Sequence, residues 1–293
     1  MPTFSTPGPL HVAVEASGGD IRIIAGKRTD TIVTVTPRTA DKPADVRAAD
    51  QVQVDLAGDV LSVKGLRSWR QLSPFGGHGL ADITIELPTR SNVSATTAVG
   101  KIVTNGELGR VNAKSAMGDI AIDHMATGRT KTAFGDVRID RVDGDLDVST
   151  ASGDVHIGDV HGSATVKTSN GATTLGHVTG DLKVKAANGR IDVERVDRSA
   201  VCKTANGSTR VGSVGEGDVL LTAAAGGMDI GIPEGTAAWL ELNSQFGQVR
   251  NELEATDGPG TATRRVKVTA KTYSGDIVVR RSSPATADGP SAA

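Results

Sequence analysis

The sequence predicts an all-β chain: a β-solenoid (β-helix) of about ten short two-strand coils with an N-terminal β cap. Three observations predict it. A glycine-marked phrase recurs at a nearly constant interval, the residues between the glycines alternate apolar and polar, and aromatic residues make up only 2% of the chain. A thick globular core relies on aromatic volume. With 38% apolar residues and so few rings, the interior must be filled by Val, Ile, Leu, Ala and Thr, which suits a thin, sheet-walled space.

The repeat comes first. The marker glycines are Gly100, Gly118, Gly135, Gly153, Gly171, Gly189, Gly207, Gly226, Gly247 and Gly275, spaced 18, 17, 18, 18, 18, 18, 19, 21 and 28 residues apart. Two and four residues after the glycine lie apolar pairs such as Ile120/Ile122, Val137/Ile139, Val155/Ile157 and Ile191/Val193. Seven and five residues before the next glycine lie Val111/Ala113, Leu146/Val148, Ala164/Val166, Leu182/Val184 and Leu240/Leu242. Alternation at period 2 gives each strand one inward and one outward face. A third column, Met125, Val142, Val160, Val178, Val196 and Val214, turns inward at the corner between the two strands. A constant period with aligned columns points to coils stacked at about 4.8 Å rather than a meander. The tight corner at each marker favours glycine, and Asn170, Asn188 and Asn206 precede it as Asn-Gly turn pairs.

Residues 1–90 break the period but keep the strand pattern, in LHVAVEA, DIRIIAG, TIVTVTP, QVQVDL, VLSVKG and DITIELP; they are read as the cap. LAGD (Leu56 to Asp59) reads as a hairpin turn, and Gly65 to Gly79 as a long loop. The solenoid repeats then occupy 91–281, and the Ser/Pro/Ala-rich tail 282–293 is expected to be disordered.

Composition narrows the function classes. A formal net charge of -2 gives no case for specific nucleic-acid binding, and one Cys allows no internal disulfide. No apolar run approaches the ~18 residues of a membrane span. No signal peptide is recognisable, so the expected location is cytoplasmic, with membrane association through a partner. P-loop, GxSxG, HExxH and CxxC patterns are absent, and the Gly18-Gly19 pair is followed by no helix pattern. The expectation is therefore a chain without enzymatic activity and without cofactors.

Each residue with possible chemistry has a plainer reading. His124, His156, His161 and His177 are read as outward and solvated. Cys202, in an inward column beside Ala200, is read as a small buried residue. Asp119, Asp136, Asp154 and Asp276 each follow a marker glycine and are read as turn caps, since the GGxGxD pattern of calcium-binding β-rolls is missing. An outward column four residues before the next marker holds Lys114, Lys131, Lys167, Lys185, Lys203 and Lys271, interrupted by Ser149 and Thr222. It forms a basic stripe that either docks to an anionic surface or partner or serves as a solubilising face. Trp69 and Phe75 either plug the cap or make its loop a partner surface. Trp239 is expected outward or at a seam between coils.

The GD-V-x-I phrases, the Asn-Gly turns, PFGG (Pro74 to Gly77), AAWLELN (Ala237 to Asn243) and the closing YSGDIVVRR resemble the DUF4097 family of bacterial β-strand repeat proteins, over nearly the whole chain. The resemblance implies a β-helical stack and no catalytic residues. The family's names imply surface adhesion, and related β-solenoid domains occur in envelope-stress sensing. The leading expectation is a non-enzymatic scaffold or protein-interaction module with an unknown protein partner, possible in envelope-associated or regulatory systems. A self-assembling or adhesin-like protein, an oligomer formed by solenoid end stacking, is the alternative, and a carbohydrate-active β-helix enzyme the second alternative.

Overall fold

Alternating side chains bury one face of each strand, and stacking identical coils buries that face continuously. The computed structural model, which describes residues 2–65, 79–254 and 262–282, realises this as an all-β solenoid. It divides into two compact units, residues 1–174 and 175–293.

In the first unit the coils are built from β1 (Thr3–Ser5), β2 (His11–Ala16), β3 (Ile21–Gly26), β4 (Asp30–Pro37), β5 (Gln53–Ala57), β6 (Val60–Lys64), β7 (Ala81–Pro88), β8 (Asn92–Val99), β9 (Ile102–Met117), β10 (Ile120–Phe134), β11 (Val137–Val142), β12 (Leu146–Ser152), β13 (Val155–Val160) and β14 (Ala164–Asn170). Each coil has a first strand after its marker glycine and a second strand before the next marker, the two running on as one in β9 and β10. The stacking is parallel and in register. Ile120 lies between Ile102 and Val137, and Val148 lies between Thr130 and Val166. The aliphatic columns read from the sequence are the core: Ile102, Ile120, Ile139, Ile157, Val148 and Val166 are essentially inaccessible to solvent. Each such side chain contributes roughly 1.5–3 kcal/mol of burial. Met125 fills the space beside Gly128, where a Cβ would lie 2.6 Å from its sulfur.

The marker column has a second cause besides the turn. Gly118 has φ +147°, and a Cβ there would sit 2.1 Å from the carbonyl oxygen of Gly100 one coil away. Coil-on-coil contact at the corner is backbone on backbone, so the site demands both the φ and the missing side chain.

Parallel stacking already begins within the first 90 residues. β2 pairs with both β6 and β8, and β3 with both β7 and β9, so the first coil of the chain lies between two later ones. β5 and β6 form the antiparallel hairpin expected at LAGD, turning at Gly58 with φ +62°. β4 pairs antiparallel with β7, and β1 with β4. One element departs from the all-strand reading: a two-turn helix, α1 (Pro43–Asp50), packs on β4 and β7. Pro43 begins it, a position where the missing N–H costs nothing. The buried Asp45 carboxylate accepts the Leu80 N–H at 2.9 Å and meets Lys42 Nζ at 3.1 Å.

β15 (Thr173–Val178) contains the boundary between the units. The second unit continues with β16 (Leu182–Asn188), β17 (Ile191–Val196), β18 (Ala200–Asn206), β19 (Thr209–Val214), β20 (Gly217–Ala225), β21 (Met228–Ile232), β22 (Thr236–Phe246), β23 (Val249–Asn251), β24 (Arg264–Ser274) and β25 (Ile277–Arg281). The sequence reading stacks the coils in chain order, and the last three do not follow it. β24 and β25 insert between β20/β21 and β22/β23. Gly275 therefore sits on Gly226, and Gly247 on Gly275. The spacings of 21 and 28 at the end of the repeat are the chain running out to form the outer coil and returning to fill the gap.

Candidate functional site

The two outward faces of the first unit differ in charge. In the coils from Gly100 to Asn170, the outward positions of the second strands carry Lys114, Arg129, Lys131 and Lys167 against the single carboxylate Asp147. The first strands and the residues just before them carry Glu107, Asp119, Asp123, Asp136, Asp140, Asp154 and Asp159 against Lys101, Arg138 and Arg141.

The lysine column is assembled by register. Lys131 lies directly beside Lys114, and Ser149 separates it from Lys167. In the second unit Lys185 lies beside Lys203, and Thr222 separates Lys203 from Lys271. All six are exposed. Lys271 pairs with Glu241 at 2.7 Å, whereas Lys114, Lys131, Lys167, Lys185 and Lys203 have no ion-pair partner among the described residues. Like charges one coil apart, about 4.8 Å, repel across the ladder.

Carboxylates on the opposite face are engaged. Asp20 Oδ1 accepts the Lys101 N–H at 2.9 Å, Asp119 Oδ1 that of Asp136 at 3.1 Å, Asp136 Oδ1 that of Asp154 at 2.8 Å, and Asp154 Oδ1 that of Ala172 at 2.8 Å. In the second unit Asp276 does the same for Gln248 at 2.8 Å. These are turn caps, each bridging to the next coil. Lys101 Nζ lies 3.0 Å from Asp119 Oδ2; this bond and the Asp136 N–H hold the Asp119 carboxyl below the usual range. A third ladder runs inside, where Thr97, Ser115 and Thr132 donate to the carbonyls of Gly19, Gly100 and Gly118 at 3.4, 3.3 and 3.3 Å.

His156 and His161 are exposed, as the sequence reading has them, whereas His124 and His177 are partly buried and engaged. His124 Nε2 lies 2.8 Å from Asp143 Oδ2, with Arg141 Nε donating to the other oxygen at 3.1 Å. His161 approaches the same carboxylate at 3.8 Å. The second unit repeats the device with His177, Arg195 and Asp197, both contacts at 2.8 Å. The His124 hydrogen bond, reinforced by Arg141, holds Asp143 below its ordinary pKa. No three His, Cys, Asp or Glu side chains converge as a metal site requires, among the described residues. Cys202 is fully buried between Val184 and Leu221, and burial pushes its thiol up to about 12, far from a nucleophile's range.

The carbohydrate-enzyme alternative calls for a groove of clustered carboxylates. An open depression in the first unit is lined by Arg110, Asn112, Arg129, Asp145 and Asp147 among others. Asp145 accepts the Ser163 N–H at 2.9 Å and Asp147 pairs with Arg129 at 3.4 Å, so both carboxylates already hold the corner together. Trp69 and Phe75 lie outside the described residues.

Sequence reasoning missed the apolar corner. The residue just before the marker glycine is Val99, Met117 and Phe134 on three neighbouring coils of the first unit. They are 44%, 56% and 58% exposed. Period-2 alternation puts this position in the inward phase, but the turn into the glycine swings it out. In the second unit Phe246 likewise precedes its marker Gly247, and Tyr273, two residues before Gly275, meets it edge to face with centroids 5.2 Å apart. Among the described residues, four of the nine exposed large hydrophobic residues, Val99, Met117, Phe134 and Phe246, stand just before a marker glycine, and none of the five aromatic residues is buried. Trp239, on the outermost strand β22, is 72% exposed.

Comparison with known proteins places the fold. Residues 10–283 match the model of the Toastrack DUF4097 family. No curated protein matches the chain significantly. Among solved structures, a protein of Bacteroides fragilis provisionally named an adhesin is 12% identical, with 95% of both chains covered and a TM-score of 0.26. One of Parabacteroides distasonis, provisionally named a lipid-binding protein, is 12% identical over 96% of both chains with a TM-score of 0.30. A third, from Clostridium sporogenes and provisionally named a cell adhesion protein, is 11% identical over 96% of this chain and 98% of its own, with a TM-score of 0.19.

Proposed function

The chain belongs to the DUF4097 Toastrack family, and on that footing we propose that it is a non-enzymatic scaffold that docks an anionic partner on the basic face of its second strands. The observation that carries this reading is the lysine column. Lys114 and Lys131 adjoin in one unit and Lys185 and Lys203 in the other, without ion-pair partners among the described residues. A like-charge column costs stability, and an anionic partner converts that cost into affinity. A role in an envelope-associated or regulatory system fits a scaffold of this kind. The test is retention of the purified chain on immobilised polyglutamate at about 0.1 M salt. The Lys114→Glu/Lys131→Glu/Lys167→Glu variant is expected to lose retention while melting close to the wild type, since all three side chains are exposed and the Lys114–Lys131 repulsion is exchanged for a similar one between carboxylates. Unchanged retention would remove the function from this face.

A second reading, self-assembly through an open end, is favoured by a specific observation. β22 has one strand neighbour, β24, among the described residues, and it exposes Trp239 and half-exposes Leu240 and Leu242. Unpaired edges of this length are templates for strand addition. Light scattering over a concentration series is expected to show growth in mass that Trp239→Ser with Leu242→Lys abolishes; a strict monomer at all concentrations excludes this reading.

A further inference from the structure

We infer that the anionic partner of the first unit is a lipid bilayer, with Val99, Met117 and Phe134 as its apolar anchor and Lys114, Lys131 and Lys167 as its electrostatic contact. The inference rests on the basic-face reading above and specifies its partner. Apolar side chains exposed singly are common, but contiguous ones mark interaction sites, and here three stand on successive coils at 44–58% exposure in a chain with very few rings. The residues just before them are Ala98, Ala116 and Ala133, so nothing on the strand rises beside the knobs to cover them.

The charge arrangement favours a membrane over a folded protein. Lys114 and Lys131 stand three residues before Met117 and Phe134, roughly 10 Å along an extended strand. When the knobs enter the acyl boundary, lysines at that distance reach the headgroups, their stems lying along the sheet. The array is a straight ladder on a sheet face, and its apolar members protrude. A fluid surface accepts protrusions in any register, whereas a protein partner must supply a matching pocket for each. Neither signal alone holds a protein on a bilayer, and the two together do. The carboxylates nearest the corner, Asp119 and Asp136, belong to the opposite face and are engaged, one by Lys101 and both by backbone N–H groups.

The experiment is co-sedimentation of the full chain with phosphatidylcholine vesicles containing about 30% phosphatidylglycerol, with pure phosphatidylcholine vesicles and polyglutamate retention alongside. The wild type is expected to sediment with the anionic vesicles and not the neutral ones. Met117→Ser/Phe134→Ser is expected to lose about tenfold or more in vesicle affinity while keeping polyglutamate retention. Each lysine neutralised to glutamine is expected to cost on the order of fivefold. A Phe134→Trp reporter is expected to shift its fluorescence to the blue on anionic vesicles and not on polyglutamate. Polyglutamate retention without vesicle binding overturns the membrane and leaves an acidic protein as the partner. Failure of both overturns the basic-face reading itself. Vesicle binding unaffected by the serine pair overturns the anchor. Thermal melts of each variant separate lost binding from lost folding.

Discussion

A single Cβ decides whether two coils can stack. At Gly118 it would be built 2.1 Å from a carbonyl oxygen, in a backbone conformation that L residues rarely adopt. Gly118→Val is therefore expected to cost ~3 kcal/mol or more, read from chemical denaturation. The opposite sign is expected one column inward. Thr209 is buried between Ile191 and Met228 with a hydroxyl that has no hydrogen-bond partner among the described residues. Thr209→Val keeps the β-branched shape and removes the stranded hydroxyl, so stability should rise by about 1 kcal/mol in the same assay. Cys202 reports on opening. Its folded pKa is raised from 9.0 to about 12, so its contribution to stability is intact below pH 9 and declines as pH rises toward 12. Thiol labelling at neutral pH should be limited by unfolding, and fast labelling of the native chain would contradict its burial.

At the scale of strands and corners, the sequence was legible where a rule is local. The columns around the marker glycines, the aspartate caps and the hairpin at Gly58 follow from alternation and turn chemistry alone. The lysine alignment followed from counting, but its unpaired state did not, because Lys271 sits in the same column and is paired through a strand brought in from elsewhere. The exposed corner was hidden because Val99, Met117 and Phe134 continue the inward phase of their strands up to the turn that reverses it. α1 was hidden because eight residues carry too little periodicity to register. Two engaged carboxylates set the acid limit, the Asp119 cap and the Asp143 partner of His124. Asp119 and Asp143 have lowered folded pKa values, so the stability they supply is present above the ordinary 3.8 and lost as pH falls through the folded values. Melting temperature should fall below about pH 4, and Asp119→Asn should narrow its deficit against the wild type there.

For the molecule as a whole, the family and the solenoid class could be read from the sequence, while the spatial order of the coils could not. Period counting is blind to a coil that leaves and is filled in behind. In the second unit β24 and β25 each have two strand neighbours, and β22 and β23 each have one among the described residues. Hydrogen exchange should therefore be slower in β24 and β25 than in β22 and β23, although they lie nearer the end of the chain. Faster exchange in the last two strands would contradict the inserted order.

That insertion has a bearing on how the chain is made. Synthesis delivers β22 and β23 before the strands they rest on exist. Until Arg281 has emerged from the ribosome, the outer coil has no ladder to join, and β20 and β21 present bare edges that a nascent neighbour could occupy. A transcript cut short after Asn251 would thus yield a unit lacking an inner course rather than its final one, with its outer coil left free to settle out of register.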